Sequence, residues 1–336
     1  MSDLPRFVHL TEMGPREGFQ IESKSIPTDD KVRFIDALSE TGVKRIQITA
    51  FVSPRWVPQM ADADEVARRF SPRPGVTYTA LALNERGRQR IRAYAGKLST
   101  DELETPPLIW ATEEFCRRNN NRTRLELLGE LAQWAREAVA RGVKETSIGA
   151  GAAFGCNFHG EIPLEELMWV LERQWHTWHE LGIVVTGCRL ADTMGWANPL
   201  QIKRTIGAIR ERWPQIVNWS LHLHDTRGLG LPNLYAALEM GVDHFDACCA
   251  GLGGCPYGGS GNAAGNVCTE DVVFMCQEMR IQTDIDLEKM IECAKLAEEI
   301  VGHVLPGHVY KGWPLPRAGT RWHALYNARP AGPAGT

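Results

Sequence analysis

Eight short β-rich runs alternate with longer amphipathic segments along most of this chain, and this alternation restricts the fold most strongly. The runs are Phe7–Met13, Lys44–Phe51, Thr77–Leu83, Pro107–Ala111, Glu145–Ala150, Ile183–Leu190, Val217–His224 and His244–Ala250. Alternating strands and helices are typical of βα units around a parallel sheet. Eight such units favour an α/β fold of the TIM (β/α)8-barrel type, for which 336 residues suffice. No GxGxxG turn follows the first run, which argues against a dinucleotide-binding fold.

The spacing of apolar residues predicts that most of the segments between the runs are helices. The predicted helices are Asp29–Thr41, Arg124–Arg141, Pro163–Leu181, Leu200–Trp213, Asn233–Met240 and Leu287–Val304. Thr28-Asp29 and Asn198-Pro199 are start signals for two of them. The last helix is expected to close the barrel. We therefore predict a catalytic barrel domain over residues 1–305 and an irregular tail, rich in Gly, Pro and Arg, over residues 306–336.

Composition and charge exclude several classes of function. The formal net charge of −4 provides no basic surface for nucleic acid. No apolar segment reaches the roughly 18 residues of a membrane helix, and the N-terminus has no apolar run typical of a secretory signal. Nine cysteines without such a signal indicate reduced thiols. We expect a cytoplasmic protein that acts on a small molecule, with neither nucleic acid nor membrane as a partner.

Ionisable residues in Gly-containing segments follow four of the predicted strands. The segments are Glu12–Gly18, Ala191–Gly195, Leu221–Thr226 and Ala250–Tyr257. Barrel enzymes carry their reactive groups at the C-terminal ends of strands and in the loops that follow. The four segments therefore predict an active site at one rim of the barrel.

His222 and His224 are two residues apart on a predicted strand, so their side chains point to the same face. At the rim of a barrel that face is inward, where two imidazoles could share a cation. The spacing suits Zn, Mn, Fe or Co, and with added carboxylates Mg or Mn. Two histidines hydrogen-bonded inside a polar barrel explain the pair equally well. The acids Glu17, Asp192 and Asp225 favour the metal site.

Two further residues are candidates for chemistry at this rim. Arg16 follows a Gly-Pro turn, and its fork of donors suits an enolate or carboxylate oxygen; a surface ion pair with Glu17 is the alternative. Cys255 lies in the loop GLGGCPYGGSGNAAGN, whose glycines permit many conformations. Such a loop could close over a substrate and bring a thiol to it, whereas a buried, inert cysteine is the alternative.

Five segments together resemble the 3-hydroxy-3-methylglutaryl-CoA (HMG-CoA) lyase family, barrel metal-dependent lyases related to isopropylmalate synthase. The segments are EMGPREG (Glu12–Gly18), FVSPRWVPQM (Phe51–Met60), LADTMG (Leu190–Gly195), LHLHDTRG (Leu221–Gly228) and GLGGCPY (Gly251–Tyr257). The resemblance runs from about Phe7 to Val304. It implies a retro-Claisen carbon–carbon lyase that splits an HMG-CoA-like 3-hydroxyacyl-CoA into acetyl-CoA, or another acyl-CoA, and an oxo-acid.

The resemblance also implies a divalent cation, Mg or Mn, and its ligands. His222 and His224 match the family's two histidine ligands, and Glu17 stands where the family has an aspartate. Asn266 matches the fourth ligand, an asparagine; Asn262 competes with it, because this loop is about two residues longer than the family's.

Catalytic roles follow from the same resemblance. Arg16 matches the arginine that stabilises the enolate, and Cys255 matches the cysteine that donates or accepts a proton. Asp192 matches a catalytic acid, and Asp192 and His222 are the candidates for the base that takes the hydroxyl proton. The substrate partner would be an acyl-CoA thioester. A homodimer is left open, since many members of the family are dimers and no motif marks an interface.

Three departures from the family pattern imply a substrate other than the standard one. Glu17 replaces an aspartate, Gln47 replaces a catalytic-site glutamate, and Cys-Asn-Phe-His at residues 156–159 replaces Cys-Pro-Tyr-Glu. Two alternatives to the acyl-CoA lyase therefore stay open. One is an aldol-type lyase or condensing enzyme for a related hydroxy acid without CoA. The other is a degenerate barrel kept as a binding protein.

Overall fold

The structure, a computed structural model, describes residues 4–22, 26–104, 106–254 and 264–317, together with residues 321 and 324. Eight strands form its main sheet: β1 (His9–Glu12), β2 (Arg45–Ala50), β3 (Thr77–Leu81), β4 (Ile109–Trp110), β5 (Glu145–Gly151), β6 (Val184–Asp192), β7 (Asn218–Leu223) and β8 (His244–Ala247). Each coincides with or overlaps one of the predicted runs, so all eight strand predictions are confirmed. The shortest is β4, because Pro106 and Pro107 precede it and cannot donate to a ladder.

The strands are parallel and follow the order β3-β2-β1-β8-β7-β6-β5-β4, as in a barrel in which β1 lies next to β8. Thr11 pairs with Arg45 and Asp246, and Asp246 pairs with His222, so these side chains lie on one face of the curled sheet. β3 and β4 occupy the two ends of the hydrogen-bonded order. The predicted TIM-type barrel is confirmed.

Eleven helices accompany the strands in the described residues: α1 (Thr28–Ser39), α2 (Ala63–Arg69), α3 (Glu85–Arg92), α4 (Glu113–Asn120), α5 (Arg124–Ala140), α6 (Leu164–Glu180), α7 (Pro199–Arg212), α8 (Gly230–Glu239), α9 (Thr269–Glu278), α10 (Leu287–Val301) and α11 (Val309–Gly312). The six predicted helices are confirmed as α1, α5, α6, α7, α8 and α10. Asn198 caps α7 as expected, by accepting from the backbone of Leu200 and Gln201. Thr28 begins α1 without capping it and donates instead to Asp62.

Two hydrophobic clusters support this architecture. The large core lies between the sheet and the surrounding helices and includes Phe34, Ile46 and Trp178, all almost fully buried. A smaller cluster around Phe115 and Met194 lies beyond the C-terminal ends of β4, β5 and β6. The rim expected to carry the active site therefore has an apolar wall on one side.

The division into a barrel domain and a tail stays a prediction, since most of residues 318–336 lie outside the described part. Within the described part of the tail, Tyr310 on α11 is buried, and Asp271 on α9 accepts hydrogen bonds from the backbone of His308 and Val309. The start of the tail thus packs on the barrel. In the described residues, none of the helices combines the length and the apolar character that crossing a membrane requires.

Candidate metal centre and active site

Arg16 and Glu17 lie on a tight turn that follows β1. Residues Gly14–Gly18 form one turn of π-helix, in which the N–H of Phe19 donates to the carbonyl oxygen of Gly14. A Cβ atom at position 14 would lie 2.7 Å from Glu12 Oε1, so a larger residue there would displace the carboxylate of Glu12. Glu17 is 9% exposed. The turn therefore buries a carboxylate at the C-terminal rim of the barrel.

His222 and His224 meet this carboxylate from β7 and the residue just beyond it. Their Nε2 atoms are 2.9 Å apart, and each lies 3.4 Å from Glu17 Oε1. Among the described residues, these three form a group whose potential ligand atoms all lie within 4.8 Å of one another. The structure thus brings together three of the four predicted metal ligands.

Asp246 fixes the orientation of one histidine and was missed in the sequence. Its Oδ2 lies 3.1 Å from His222 Nδ1, because residue 246 of β8 is in register with residue 222 of β7. A carboxylate on the far nitrogen of a ligating histidine is a common feature of metal sites, since it leaves Nε2 for the cation. The alternation of HFDA in β8 could have revealed Asp246 as an inward residue.

Asn266, the fourth predicted ligand, lies beside the group. It pairs with His224 through an isolated β-bridge, is 1% exposed, and donates from Nδ2 to Glu17 Oε1 at 3.2 Å. Its Oδ1 is buried and has no hydrogen-bond partner among the described residues. A cation would satisfy such an oxygen. The competing Asn262 lies outside the described residues.

Arg16 is held between an amide and a carboxylate. Its Nε donates to Gln47 Oε1 at 2.5 Å, and its Nη2 lies 2.9 Å from Glu17 Oε2. The two oxygens of Glu17 therefore have different partners, Oε1 facing the histidines and Oε2 facing Arg16. Arg16 is thus in direct contact with the metal group, the candidate cluster of Glu17, His222 and His224, and Gln47 reaches this group through Arg16.

The electrostatics of this cluster favour an anionic carboxylate. Burial opposes the ionisation of Glu17, but the charges of His222 and Arg16 outweigh it and hold the pKa of Glu17 well below its ordinary range. Burial also opposes protonation of His222, yet Glu17 and Asp246 raise the pKa of His222. Burial lowers the pKa of His224. A buried carboxylate that needs cationic partners, two imidazoles and an unsatisfied amide oxygen fit a divalent cation.

Asp192 and Asp225 do not belong to the group of potential ligands among the described residues. Asp192 is fully buried at the end of β6, and its oxygens accept from the backbone of Trp196 at 2.8 Å and of Ala197 at 3.1 Å. Burial raises the pKa of Asp192 to about 6. Asp225 accepts from the backbone of Gly230 at 2.7 Å and so stabilises the start of α8.

Cys255, the predicted proton donor, lies outside the described residues. The residues that lead into its loop adopt left-handed backbone conformations, with φ of 93° at Gly253 and 128° at Gly254. A Cβ atom at position 253 would lie 2.5 Å from Asn266 Nδ2. The loop that carries Cys255 therefore starts in close contact with the metal group.

The departure at residues 156–159 lies in a small antiparallel hairpin beside the apolar wall. Asn157 Oδ1 accepts from the indole N–H of Trp196 at 2.8 Å, which ties the hairpin to the loop after β6. Phe158 packs against the small hydrophobic cluster, and the guanidinium of Arg118 lies 4.2 Å above its ring. The hairpin thus places an aromatic ring on this side of the rim.

A second buried carboxylate, Glu12, lies just behind the cluster. Its Oε1 accepts from the backbone of Gly14 at 2.8 Å and of Cys249 at 2.9 Å, and its Oε2 accepts from Thr269 Oγ1 at 2.6 Å. These contacts join the end of β1 to the segment after β8 and to the start of α9. Glu12, which the sequence placed among the ionisable residues of the rim, is an internal acceptor that holds the π-helical turn.

Known proteins match this chain over most of its length. The HMGL-like family model matches residues 7–297. The hydroxymethylglutaryl-CoA lyase YngG of Bacillus subtilis is 40% identical over 306 residues, which are 90% of this chain and 96% of the relative. The 3-hydroxy-3-isohexenylglutaryl-CoA/hydroxymethylglutaryl-CoA lyase of Pseudomonas aeruginosa is 34% identical over 306 residues, 89% of this chain and 95% of that protein.

A solved structure matches in fold as well. The HMG-CoA lyase of Acinetobacter baumannii, in complex with coenzyme A and 3-methylmalate, aligns with a TM-score of 0.76 at 32% identity. The alignment covers 96% of this chain and 98% of that protein. The chain therefore belongs to the HMGL-like family, and its relatives place it among the carbon–carbon lyases.

Proposed function

We propose that this chain is a divalent-metal-dependent lyase that cleaves a 3-hydroxyacyl-CoA related to HMG-CoA. The products are an acyl-CoA, which is acetyl-CoA for HMG-CoA itself, and an oxo-acid. The convergence of Glu17, His222 and His224 beside Arg16 carries the proposal. The names of the relatives and the coenzyme A in the Acinetobacter structure support the substrate class. Among cations we propose Mg or Mn, because carboxylate and amide oxygens complete the donor set.

The four residues proposed to hold the cation are Glu17, His222, His224 and Asn266. When bound, the cation supplies Lewis-acid polarisation of the substrate's oxygens. Asp246 keeps His222 oriented by holding its Nδ1 atom. This arrangement leaves His222 engaged at both ring nitrogens, each of which offers one site. Each carboxylate oxygen of Asp192 accepts one backbone N–H and keeps a second lone pair, so we favour Asp192 as the base.

Cleavage then requires one proton removal and one proton return. Asp192 takes the proton of the tertiary hydroxyl, a carbonyl forms at C3, and the electron pair of the C2–C3 bond passes to C2. Burial raises the pKa of Asp192 to about 6, which suits a base that works near neutral pH. The guanidinium of Arg16 stabilises the resulting thioester enolate. Cys255 protonates C2, which completes the acyl-CoA.

The hairpin at residues 156–159 supports a substrate with a modified acyl part. Phe158 stands where the family has a tyrosine, and it adjoins an apolar cluster. One relative is named for a 3-isohexenyl substrate as well as for HMG-CoA. The substituent at C3 therefore differs among the named substrates of the relatives. A cytoplasmic location and a homodimer remain expectations beside this proposal.

A panel assay tests the proposed function. Purified protein with Mg²⁺ or Mn²⁺ is given HMG-CoA, 3-hydroxy-3-isohexenylglutaryl-CoA, citramalyl-CoA and the corresponding free hydroxy acids. We expect release of an acyl-CoA and an oxo-acid from at least one thioester, and loss of this release after chelation. Equal cleavage of the free acid would favour the CoA-free alternative. No product from any member, with or without metal, would reject lyase activity on these substrates.

A further inference from the structure

Three side chains form a continuous line from β2 to the metal group. Gln47 Oε1 accepts from Arg16 Nε at 2.5 Å, Arg16 Nη2 lies 2.9 Å from Glu17 Oε2, and Glu17 Oε1 faces both histidines at 3.4 Å. Gln47 is 6% exposed, so its contact with Arg16 is shielded from water. Any change in charge at position 47 therefore acts on Glu17 through the guanidinium of Arg16, whose side chain is 12% exposed.

The charges along this line are unequal. Arg16 carries a permanent positive charge and Gln47 carries none. The carboxylate that pairs with Arg16 is thus the same carboxylate that faces the two histidines. A divalent cation bound there would share the negative charge of Glu17 with Arg16. It would also be repelled by the guanidinium, and repulsion between charges is strong in a buried setting.

We propose that Gln47 is a positioning residue with two separable effects. Its acceptor oxygen fixes the guanidinium of Arg16, and its neutrality leaves Glu17 shared between Arg16 and the cation. The neutral partner leaves more of the positive charge of Arg16 available to a developing enolate, and it weakens the binding of the cation. The inference rests on the metal site of the proposed function and deepens it, since it assigns the effect of one of the family departures.

Metal affinity tests the effect of neutrality without any turnover. Chelator-treated protein is titrated with MnCl₂ by calorimetry, for the unchanged chain, Gln47→Glu, Gln47→Met and the exposed control Gln133→Glu. We expect Gln47→Glu to lower Kd for Mn²⁺ by about tenfold or more, because an added carboxylate neutralises Arg16. The control and Gln47→Met, which leaves the charge of the cluster unchanged, should stay within about threefold. A Kd for Gln47→Glu within threefold of the unchanged chain would overturn the effect of neutrality.

Kinetics at saturating cation test the effect of the acceptor oxygen. Gln47→Met removes the acceptor, so kcat should fall at least about tenfold with little change in KM, as expected for an interaction made mainly in the transition state. Gln47→Glu keeps an acceptor and should retain several times the kcat of Gln47→Met. Equal losses in both variants would overturn the positioning role. Circular dichroism verifies that both variants fold.

Mn²⁺ binding by the unchanged chain distinguishes a wrong metal site from a wrong role for Gln47. If the unchanged chain binds no Mn²⁺, the metal site itself is wrong and the role of Gln47 falls with it. If Mn²⁺ binds and Gln47→Glu changes neither Kd nor kcat relative to Gln47→Met, the metal site stands and only the role of Gln47 is rejected.

Discussion

Two buried carboxylates five residues apart, Glu12 and Glu17, show how differently the end of one strand can use the same side chain. Glu12 accepts from two backbone N–H groups and one hydroxyl, all neutral. Burial raises the pKa of Glu12 to about 7, even though these donors favour its ionised form. At Glu17 burial acts in the same direction, but neighbouring cations reverse the result.

The difference teaches that burial alone does not decide the role of an acid at the rim of a barrel. Neutral donors make Glu12 part of the framework, meaning the buried hydrogen bonds that join the end of β1 to Cys249 and Thr269. These donors can hold Glu12 whether or not it carries a charge. Glu17 depends on positive partners, so it is suited to exchange one of them for a metal ion. The framework and the site can therefore be separated by substitution.

The largest effect is expected from removing His224, one of the four proposed metal ligands. His224→Ala should lower kcat/KM by roughly a thousandfold, since a metal ion contributes several kcal/mol to the transition state. It should also abolish Mn²⁺ binding in calorimetry. The exposed His176→Ala on α6 is the control and should retain both properties. A variant without His224 that still binds Mn²⁺ tightly would remove this histidine from the ligand set.

The next effect concerns the framework. Glu12→Ala leaves the N–H groups of Gly14 and Cys249 without their acceptor, and the free energy of unfolding should fall by about 3 kcal/mol. Urea denaturation measures the loss. Glu17→Gln should cost less than this, because Arg16 keeps its contact with Gln47 and His222 keeps its contact with Asp246. Equal losses in the two variants would break the distinction between framework and site.

The pH dependence of stability should be the third effect. Since burial raises the pKa of Glu12 from 4.5 to about 7, the folded chain keeps a proton here that the unfolded chain has lost. Stability from this group is therefore fully present below pH ~4.5 and is lost as the pH rises through about 7. The loss is on the order of 3 kcal/mol.

Glu12→Gln isolates this contribution, because the amide does not titrate. Urea denaturation at several pH values between 5 and 8 should show the variant gaining stability relative to the unchanged chain as the pH rises. Glu270, whose pKa burial also raises, to about 8, contributes to both proteins and cancels in the difference. A constant difference across this range would mean that Glu12 is already ionised at pH 5.

The smallest effect is expected at Thr269. Thr269→Val removes the hydroxyl that donates to Glu12 Oε2 at 2.6 Å, and the free energy of unfolding should fall by about 1 kcal/mol. The Kd for Mn²⁺ should stay unchanged within error, because this contact belongs to the framework. A clear rise in Kd would show that the two carboxylates are coupled through the turn.

Much of this architecture follows from the sequence. The β-rich runs were sufficient to predict eight strands. The two-residue spacing of His222 and His224 was sufficient to predict that their side chains share one face. The partners of acids were not predictable in the same way. Glu12, Asp225 and Asp246 all follow or lie in apolar strands, and only three-dimensional register decides which meets backbone N–H groups and which meets a histidine.

Five helices are not among the six predicted ranges, for physical reasons. α2 and α11 have two turns or fewer, α3 and α4 are dominated by charged and polar residues, and α9 follows a long Gly-rich loop. Their apolar faces are too short to show a clear period. Such helices are stabilised by packing on a barrel that other segments form, so their own sequence carries little of the information.

The π-helical turn sets the direction in which Glu17 points relative to Glu12. In an α-helix each residue advances the chain by about 100° around the axis. The turn at Gly14–Gly18 holds one residue more than an α-turn would, which sets where Glu17 points relative to the anchored Glu12. Shortening the turn by one residue would leave the barrel and both histidines in place. It would rotate the carboxylate of Glu17 away from them, so the length of this turn, as much as the identity of residue 17, determines whether the proposed cation site can form.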